Sequence, residues 1–159
     1  MSFDVFCVHF ENGERAEADR EPVLAVLHSA HFTGPDNFGF YVVYLDDGAS
    51  LELGASKLEG QSTFTGCTFF LHELTEAVVA FIFDVARAGD MTMLATMPDA
   101  VPILVGEHQK VHLPLDLLDA FPGIAVCESQ ADLFVLLSQG HTDWKVYRDR
   151  VTRSTERPS

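Results

Sequence analysis

The stretch from Thr75 to Gly89, TEAVVAFIFDVARAG, restricts the fold of this chain more than any other. Thr75 can cap the start of a helix and Gly89 can end it. Apolar side chains occupy most of the circumference of this helix, and only Glu76, Asp84 and Arg87 between its ends are charged. A helix of this kind needs protein on more than one side. We therefore predict that this segment is the central core helix.

Short apolar runs on both sides of this helix predict the strands of a sheet. Residues 3–10 are apolar at both odd and even positions, which predicts a central strand. Asp47-Gly48 is a favoured two-residue hairpin loop between strand-like residues 39–46 and 49–54, and it would place Tyr44 opposite Leu51. One apolar face of this predicted hairpin would then contain Phe40, Val42, Tyr44, Leu51 and Leu53.

Hairpins and helices alternate along the chain, and this order predicts the fold class. Asp19 can cap an early helix, residues 110–113 can form a short strand, and helices are predicted near the end, through Leu137 and from Thr142. The sequence therefore predicts an α+β fold with a mixed, mostly antiparallel sheet, a buried central helix and two C-terminal helices. Residues 1–151 are predicted to form a single domain, and residues 152–159 a frayed polar tail.

The charge of the chain is strongly negative and unevenly distributed. The formal net charge is −14, and residues 1–144 hold 22 acidic against five basic side chains. Such a body repels nucleic acids and anionic membranes and attracts basic proteins, although acidity also serves solubility. No secretory signal precedes the first strand, and no apolar run approaches the roughly 20 residues of a membrane span. We expect a cytoplasmic protein without nucleic-acid or membrane partners.

Motifs for catalysis or cofactor binding are missing from the sequence. The glycine-rich phosphate loops and the serine elbow of hydrolases do not occur, so we expect no cofactor and lean against an enzyme. Asp46, Asp47 and Glu52 do not converge on one side of the predicted hairpin, which argues against a pair of catalytic acids. The three cysteines are far apart in sequence, and we predict that each is buried as a small apolar side chain.

Histidines provide an alternative interpretation of the chain as a metal protein. His72 and Glu76 stand in HELTE, which resembles the start of a zinc-protease helix but has Glu76 where that motif needs histidine. His108 and His112 are four residues apart, and they separate if residues 103–115 form a hairpin. These four residues are the candidate ligands of a small metal-dependent hydrolase or ligand-binding protein.

A non-enzymatic binding protein is the leading functional hypothesis from the sequence. Its acidic surface would engage a protein partner, as inhibitors and immunity proteins engage basic toxin domains. Candidate partner-binding residues are the aromatic and basic group Trp144, Tyr147 and Arg148, typical of interfaces, and the exposed acids Asp46 and Asp47. The acidic body and basic tail could also support a homodimer.

Overall fold

A computed structural model describes residues 3–60, 62–97, 100–139 and 150 of the chain. These residues form ten strands, four α-helices and one 3-10 helix, Glu107–His112. The strands are β1 Phe3–Val8, β2 Phe10–Glu11, β3 Glu14–Arg15, β4 His31–Thr33, β5 Phe40–Tyr44, β6 Ser50–Gly54, β7 Gly66–Leu71, β8 Thr92–Ala95, β9 Ile103–Leu104 and β10 Ala125–Val126. The α-helices are α1 Arg20–His28, α2 Glu76–Ala88, α3 Leu115–Ala120 and α4 Gln130–Gln139.

Eight of the strands form one sheet in the order β10-β9-β8-β1-β7-β6-β5-β4, and β2 pairs with β3 in a separate hairpin. All described strand pairs are antiparallel except β9 with β10. This architecture confirms the predicted α+β class with a mixed, mostly antiparallel sheet. It also confirms that the first strand is central, since β1 lies between β8 and β7.

Local sequence signals set the ends of the helices. The Asp19 carboxylate accepts a hydrogen bond from the Glu21 amide at the start of α1. The Thr75 hydroxyl accepts one from the Val78 amide at 3.2 Å, and α2 ends at Gly89. Such caps satisfy amide groups that have no partner inside the helix.

Helix α2 lies at the centre of the core, as predicted. Seven of its thirteen residues are buried, and the helix contacts both α1 and α4. The ring of Phe81 meets the ring of Phe69 on β7 edge to face, with centroids 6.1 Å apart. The helices therefore cover the face of the sheet that bears Val5, Phe69 and Leu71.

The predicted register of the β5–β6 hairpin is wrong by one residue. The Leu45 amide donates to the Ala49 carbonyl at 2.9 Å, so the loop has three residues and ends at Gly48 with a φ of +88°. Tyr44 lies opposite Ser50, and Val43 lies opposite Leu51. Side chains alternate along a strand, so this shift exchanges the two faces of β5. Its core residues are Tyr41 and Val43; Phe40, Val42 and Tyr44 lie on the other face.

Two further elements differ from the predictions, and one predicted helix falls outside the described residues. Residues 110–113 are not a strand, because the 3-10 helix extends to His112. The short edge strand β4 follows α1 and has no counterpart among the predicted strands. Of the two predicted C-terminal helices, α4 is present, and the other lies outside the described residues. No helix in the described part of the chain is both long and apolar enough to cross a membrane.

Candidate functional site

The second face of the sheet lies opposite helices α1, α2 and α4 and carries exposed aromatic rings, and we call it the open face. Phe6 on β1 is 41% exposed, Phe40 on β5 is 36% exposed, and Phe38 in the preceding loop is 78% exposed. Phe70 on β7 packs against Phe40, with ring centroids 5.7 Å apart. With Leu94 on β8 these side chains line one continuous surface. We call these five residues, Phe6, Phe38, Phe40, Phe70 and Leu94, the aromatic face.

Two concavities lie on this face, and Phe38 and Phe40 line both of them. The first has a volume of about 530 Å³, and the cationic residues Arg15 and Lys57 are among those that line it. We call it the basic concavity. The second, of about 510 Å³, is bounded by Asp36 and Glu52, and we call it the acidic concavity. The two phenylalanines thus separate a positive half of the face from a negative half.

The loop that carries Phe38 is held by several hydrogen bonds. The Asp36 carboxylate accepts from the amides of Phe38 and Phe40 at 2.8 and 3.0 Å. Gly39 has a φ of +82°, and a Cβ atom there would lie 2.3 Å from the Ser56 Cα. Glycine is therefore required at this turn, because other side chains neither adopt this φ readily nor fit the space. The Phe38 ring is exposed on an ordered turn.

A second group of polar side chains lies at the end of β1, around Asp90. The His9 ring is largely buried; its Nδ1 donates to the Asp90 carbonyl at 2.7 Å, and its Nε2 lies 3.0 Å from a Glu11 carboxylate oxygen. The Asp90 carboxylate contacts His108 Nε2 at 2.7 Å and accepts a hydrogen bond from the side-chain Nε2 of Gln109 at 3.0 Å. Asp90 has a φ of +51°, uncommon for a residue other than glycine. This network fastens the 3-10 helix to β1 and to the turn after α2.

The protonation state of His9 follows from its partners. Burial alone lowers the pKa of the imidazole, but the hydrogen bonds to the Asp90 carbonyl and the Glu11 carboxylate together outweigh burial, and the pKa is raised. Both ring nitrogens face acceptors, so the doubly protonated ring satisfies both. The folded structure therefore favours the protonated, cationic form of the His9 ring.

We expect the stabilising effect of His9 to depend on pH. A histidine whose pKa is raised by folding stabilises the folded state at a pH below its unfolded pKa of about 6.5. That stabilisation is lost as the pH rises through the pKa of the folded state. Replacing His9 with glutamine should therefore lower the free energy of unfolding by about 2 kcal/mol at pH 6 and by less at pH 8.5. Urea unfolding at the two pH values measures this, with the exposed His31→Gln as control. An equal loss at both pH values would contradict a charged His9.

The predicted acidic partner residues lie at the tip of the β5–β6 hairpin. Asp46 is exposed there. The Asp47 carboxylate accepts from the Ala49 amide at 2.9 Å, and this bond, with one to the Thr75 side chain, lowers the pKa of Asp47. Asp47 therefore stabilises the turn. Trp144, Tyr147 and Arg148 lie outside the described residues.

The four predicted metal ligands have different neighbours in the structure. His72 lies 3.9 Å from Glu52 on the open side of the sheet, and Glu76 begins α2. His108 pairs with Asp90, while His112 Nδ1 accepts from the Asn12 amide at 3.2 Å. Within residues 3–60, 62–97 and 100–139, no three histidine, cysteine or acidic residues are grouped to hold a metal ion. Each of these three histidines instead has a carboxylate or a backbone amide as its neighbour.

Sequence reasoning did not identify the aromatic face. The signal was present in part: β1 and β7 are apolar at both odd and even positions, so each strand has apolar side chains on both faces. We interpret this pattern in β1 only as the sign of a central strand, whereas in the described part of the chain the helices α1, α2 and α4 pack on one face of the sheet. Arg15, Phe38 and Lys57 come from separate loops and hairpins, and only the fold brings them together.

Comparison with known proteins gives no relative from which a function could be transferred. The chain matches no family model, no curated protein and no solved structure.

Proposed function

We propose that this protein is a non-enzymatic binding protein, of the inhibitor or immunity type, whose aromatic face engages a protein partner. The observation that carries this proposal is the exposure of Phe6, Phe38 and Phe40 on the sheet face opposite helices α1, α2 and α4. Contiguous apolar patches of this kind are rare on monomers unless they bind something. Phenylalanine is among the residues enriched at protein interfaces.

The shape of the face favours a protein over a small molecule as the ligand. Small-molecule pockets enclose most of their ligand, whereas protein interfaces are broad and have an apolar centre with a polar rim. Here the exposed ring of Phe38 stands between two open concavities, and charged side chains border both. A partner would place apolar side chains in the concavities on either side of Phe38.

The charge of the protein favours a partner with basic side chains around its apolar centre. The net charge is −14, and Asp4, Asp36 and Glu52 lie on or beside the open face. Charge complementarity raises the rate of association and selects among partners more than it adds affinity. The partner we propose is therefore a basic protein with an exposed apolar segment.

The cysteines support a location in a reducing compartment such as the cytoplasm. Cys7, Cys67 and Cys127 are all buried thiols, as predicted from the sequence. Cys7 lies directly opposite Cys67 on the neighbouring strand, and the Cys67 thiol and burial raise the pKa of Cys7 well above its ordinary value. Buried thiols that stay unpaired are typical of reducing compartments.

Affinity capture with matched variants tests the proposal. The wild-type protein, the variant Phe38→Ser/Phe40→Ser and the control Val111→Ser/Leu115→Ser would be immobilised in parallel and exposed to host lysate at low salt. Val111 in the 3-10 helix and Leu115 in α3 are exposed apolar residues, and neither lines a concavity of the aromatic face. We expect one basic protein on the wild type and the control, absent from the face variant and released by salt.

Other results of the same capture would overturn the proposal. Equal recovery of the partner by the face variant would place the binding site elsewhere. Purified protein that retains a stoichiometric divalent metal and loses it in His72→Ala would favour the metal-dependent alternative. Binding that persists unchanged to high salt would argue against a basic partner, because screening weakens attraction between exposed charges.

A further inference from the structure

We propose that, in the absence of its partner, a second copy of this chain covers the aromatic face in a two-fold symmetric dimer. This inference rests on the proposed function, since it takes the aromatic face to be an interface. It adds a form of regulation, because the dimer would occlude the surface that the partner needs.

The first observation is the position of two cations that have no ion-pair partner among the described residues. Residues 1–144 contain only five lysine and arginine side chains, and two of them, Arg15 and Lys57, border the basic concavity. Lys110 pairs with Glu107 at 2.5 Å, and Arg20 donates to the carbonyl oxygens of 58, 60 and 62. Among the described residues, no carboxylate lies within 4.0 Å of Arg15 or Lys57. The same holds for Arg87 at the end of α2, but Arg87 lines neither concavity of the face. Arg15 and Lys57 are available to a carboxylate from another molecule.

The second observation is the acidic half of the same face. Glu52 has a single described ion-pair neighbour, His72 at 3.9 Å, and its side chain is half exposed. Asp36 uses one carboxylate oxygen to hold the amides of Phe38 and Phe40. Both acids border the acidic concavity, across the two phenylalanines from the cations. The face thus has charges of opposite sign on either side of an aromatic centre.

Two-fold symmetry makes this arrangement self-complementary. In an isologous dimer each half of the patch meets the other half of the same patch on the second copy. An axis through the Phe38–Phe40 pair would place the basic concavity of one copy over the acidic concavity of the other, twice. The aromatic side chains would pack between the sheets, which in sandwiches lie about 10 Å apart. The apolar contact supplies the affinity, and the charges set the orientation.

The net charge opposes this dimer at long range. Two copies of the chain, each with a net charge of −14, repel each other. Added salt screens this repulsion beyond a Debye length of about 8 Å at 0.15 M. We therefore expect dimerisation to strengthen as salt is raised from about 0.01 M to about 0.15 M. Binding of a basic partner should weaken over the same range. The opposite salt dependences distinguish the second copy from the partner.

Sedimentation equilibrium of charge variants tests the dimer. We expect Arg15→Glu/Lys57→Glu to raise the dimer dissociation constant at least about 10-fold, because acidic side chains would then face each other in both halves of the interface. Glu52→Lys should also weaken the dimer, and Asp36 is left intact because it holds the Phe38 loop.

Mixing the two variants should restore association. In one half of the mixed dimer, the introduced lysine would face the two introduced glutamates, so opposite charges meet again with reversed signs. The other half would keep the wild-type pairing of Arg15 and Lys57 with Asp36 and Glu52. Arg87→Glu/Lys110→Glu and Glu73→Lys carry the same changes in net charge elsewhere and serve as controls.

Three results would overturn the dimer. The first is wild-type protein that is monomeric at about 100 µM and 0.15 M salt, above the micromolar range of weak specific interfaces. The second is equal weakening of the dimer by the variants and their controls. The third is a mixture that does not associate.

The two proposals can fail separately. A monomeric protein that still captures a basic partner through Phe38 and Phe40 would contradict the dimer and support the proposed function. A dimeric protein that captures no partner would contradict the proposed function and leave the dimer intact.

Discussion

Replacing both Phe38 and Phe40 with serine is expected to weaken partner binding by about 100-fold or more. Aromatic side chains at the centre of an interface commonly contribute about 2 kcal/mol or more each. Phe38 and Phe40 occupy that central position, because both concavities of the open face meet at them. Titration calorimetry with the captured partner would give the two dissociation constants.

The same double variant should remain folded. Phe38 is almost fully exposed, and Phe40 loses mainly its contact with the Phe70 ring. We expect the free energy of unfolding to change by about 1 kcal/mol or less, as for most surface substitutions. The control Val111→Ser/Leu115→Ser removes a similar exposed apolar area without touching the face. Equal affinity losses in the control and the face variant would refute a central role for Phe38 and Phe40.

The second large effect is expected from two neighbouring valines of β5. Val43 is fully buried against the helices, so Val43→Asn should destabilise the protein by about 3 kcal/mol or more through lost apolar burial and an unsatisfied amide. Val42 lies on the open face, so Val42→Asn should lower stability by only about 1 kcal/mol. Asparagine is chosen because it adds no charge beside Glu52, which lies opposite Val42.

Urea unfolding of the two variants measures the register of the hairpin directly. The two-residue loop inferred from Asp47-Gly48 would bury Val42 and leave Val43 with Glu52 on the other face, and it would reverse the order of the two effects. Comparable losses in both variants would mean that both faces of β5 are covered. Either of these results would remove the aromatic face as a site.

Much of the fold could be predicted from short segments of the sequence. The bounds of α2 follow from Thr75, Gly89 and the apolar residues between them, all within fifteen positions. Asp19 predicts α1 in the same way, and apolar residues on both sides of β1 identify a central strand. Each signal acts through hydrogen bonds or side-chain spacing within a few turns, so no distant contact is needed to interpret it.

The site could not be predicted in this way, because its residues meet only through the sheet. Gly48 accepts a three-residue loop as readily as a two-residue one, and the choice depends on which β5 side chains pack against α2 and β7. Arg15, Phe38 and Lys57 are brought together by the β1-β7-β6-β5 order, and His9 meets Asp90 across 81 positions.

The sequence alone therefore determined helices α1, α2 and α4, the fold class and the acidic charge. The tertiary structure decided which face of each strand is covered. Side chains on a strand alternate with a period of two, so a shift of one residue moves all of them between core and surface, and only long-range packing fixes that shift.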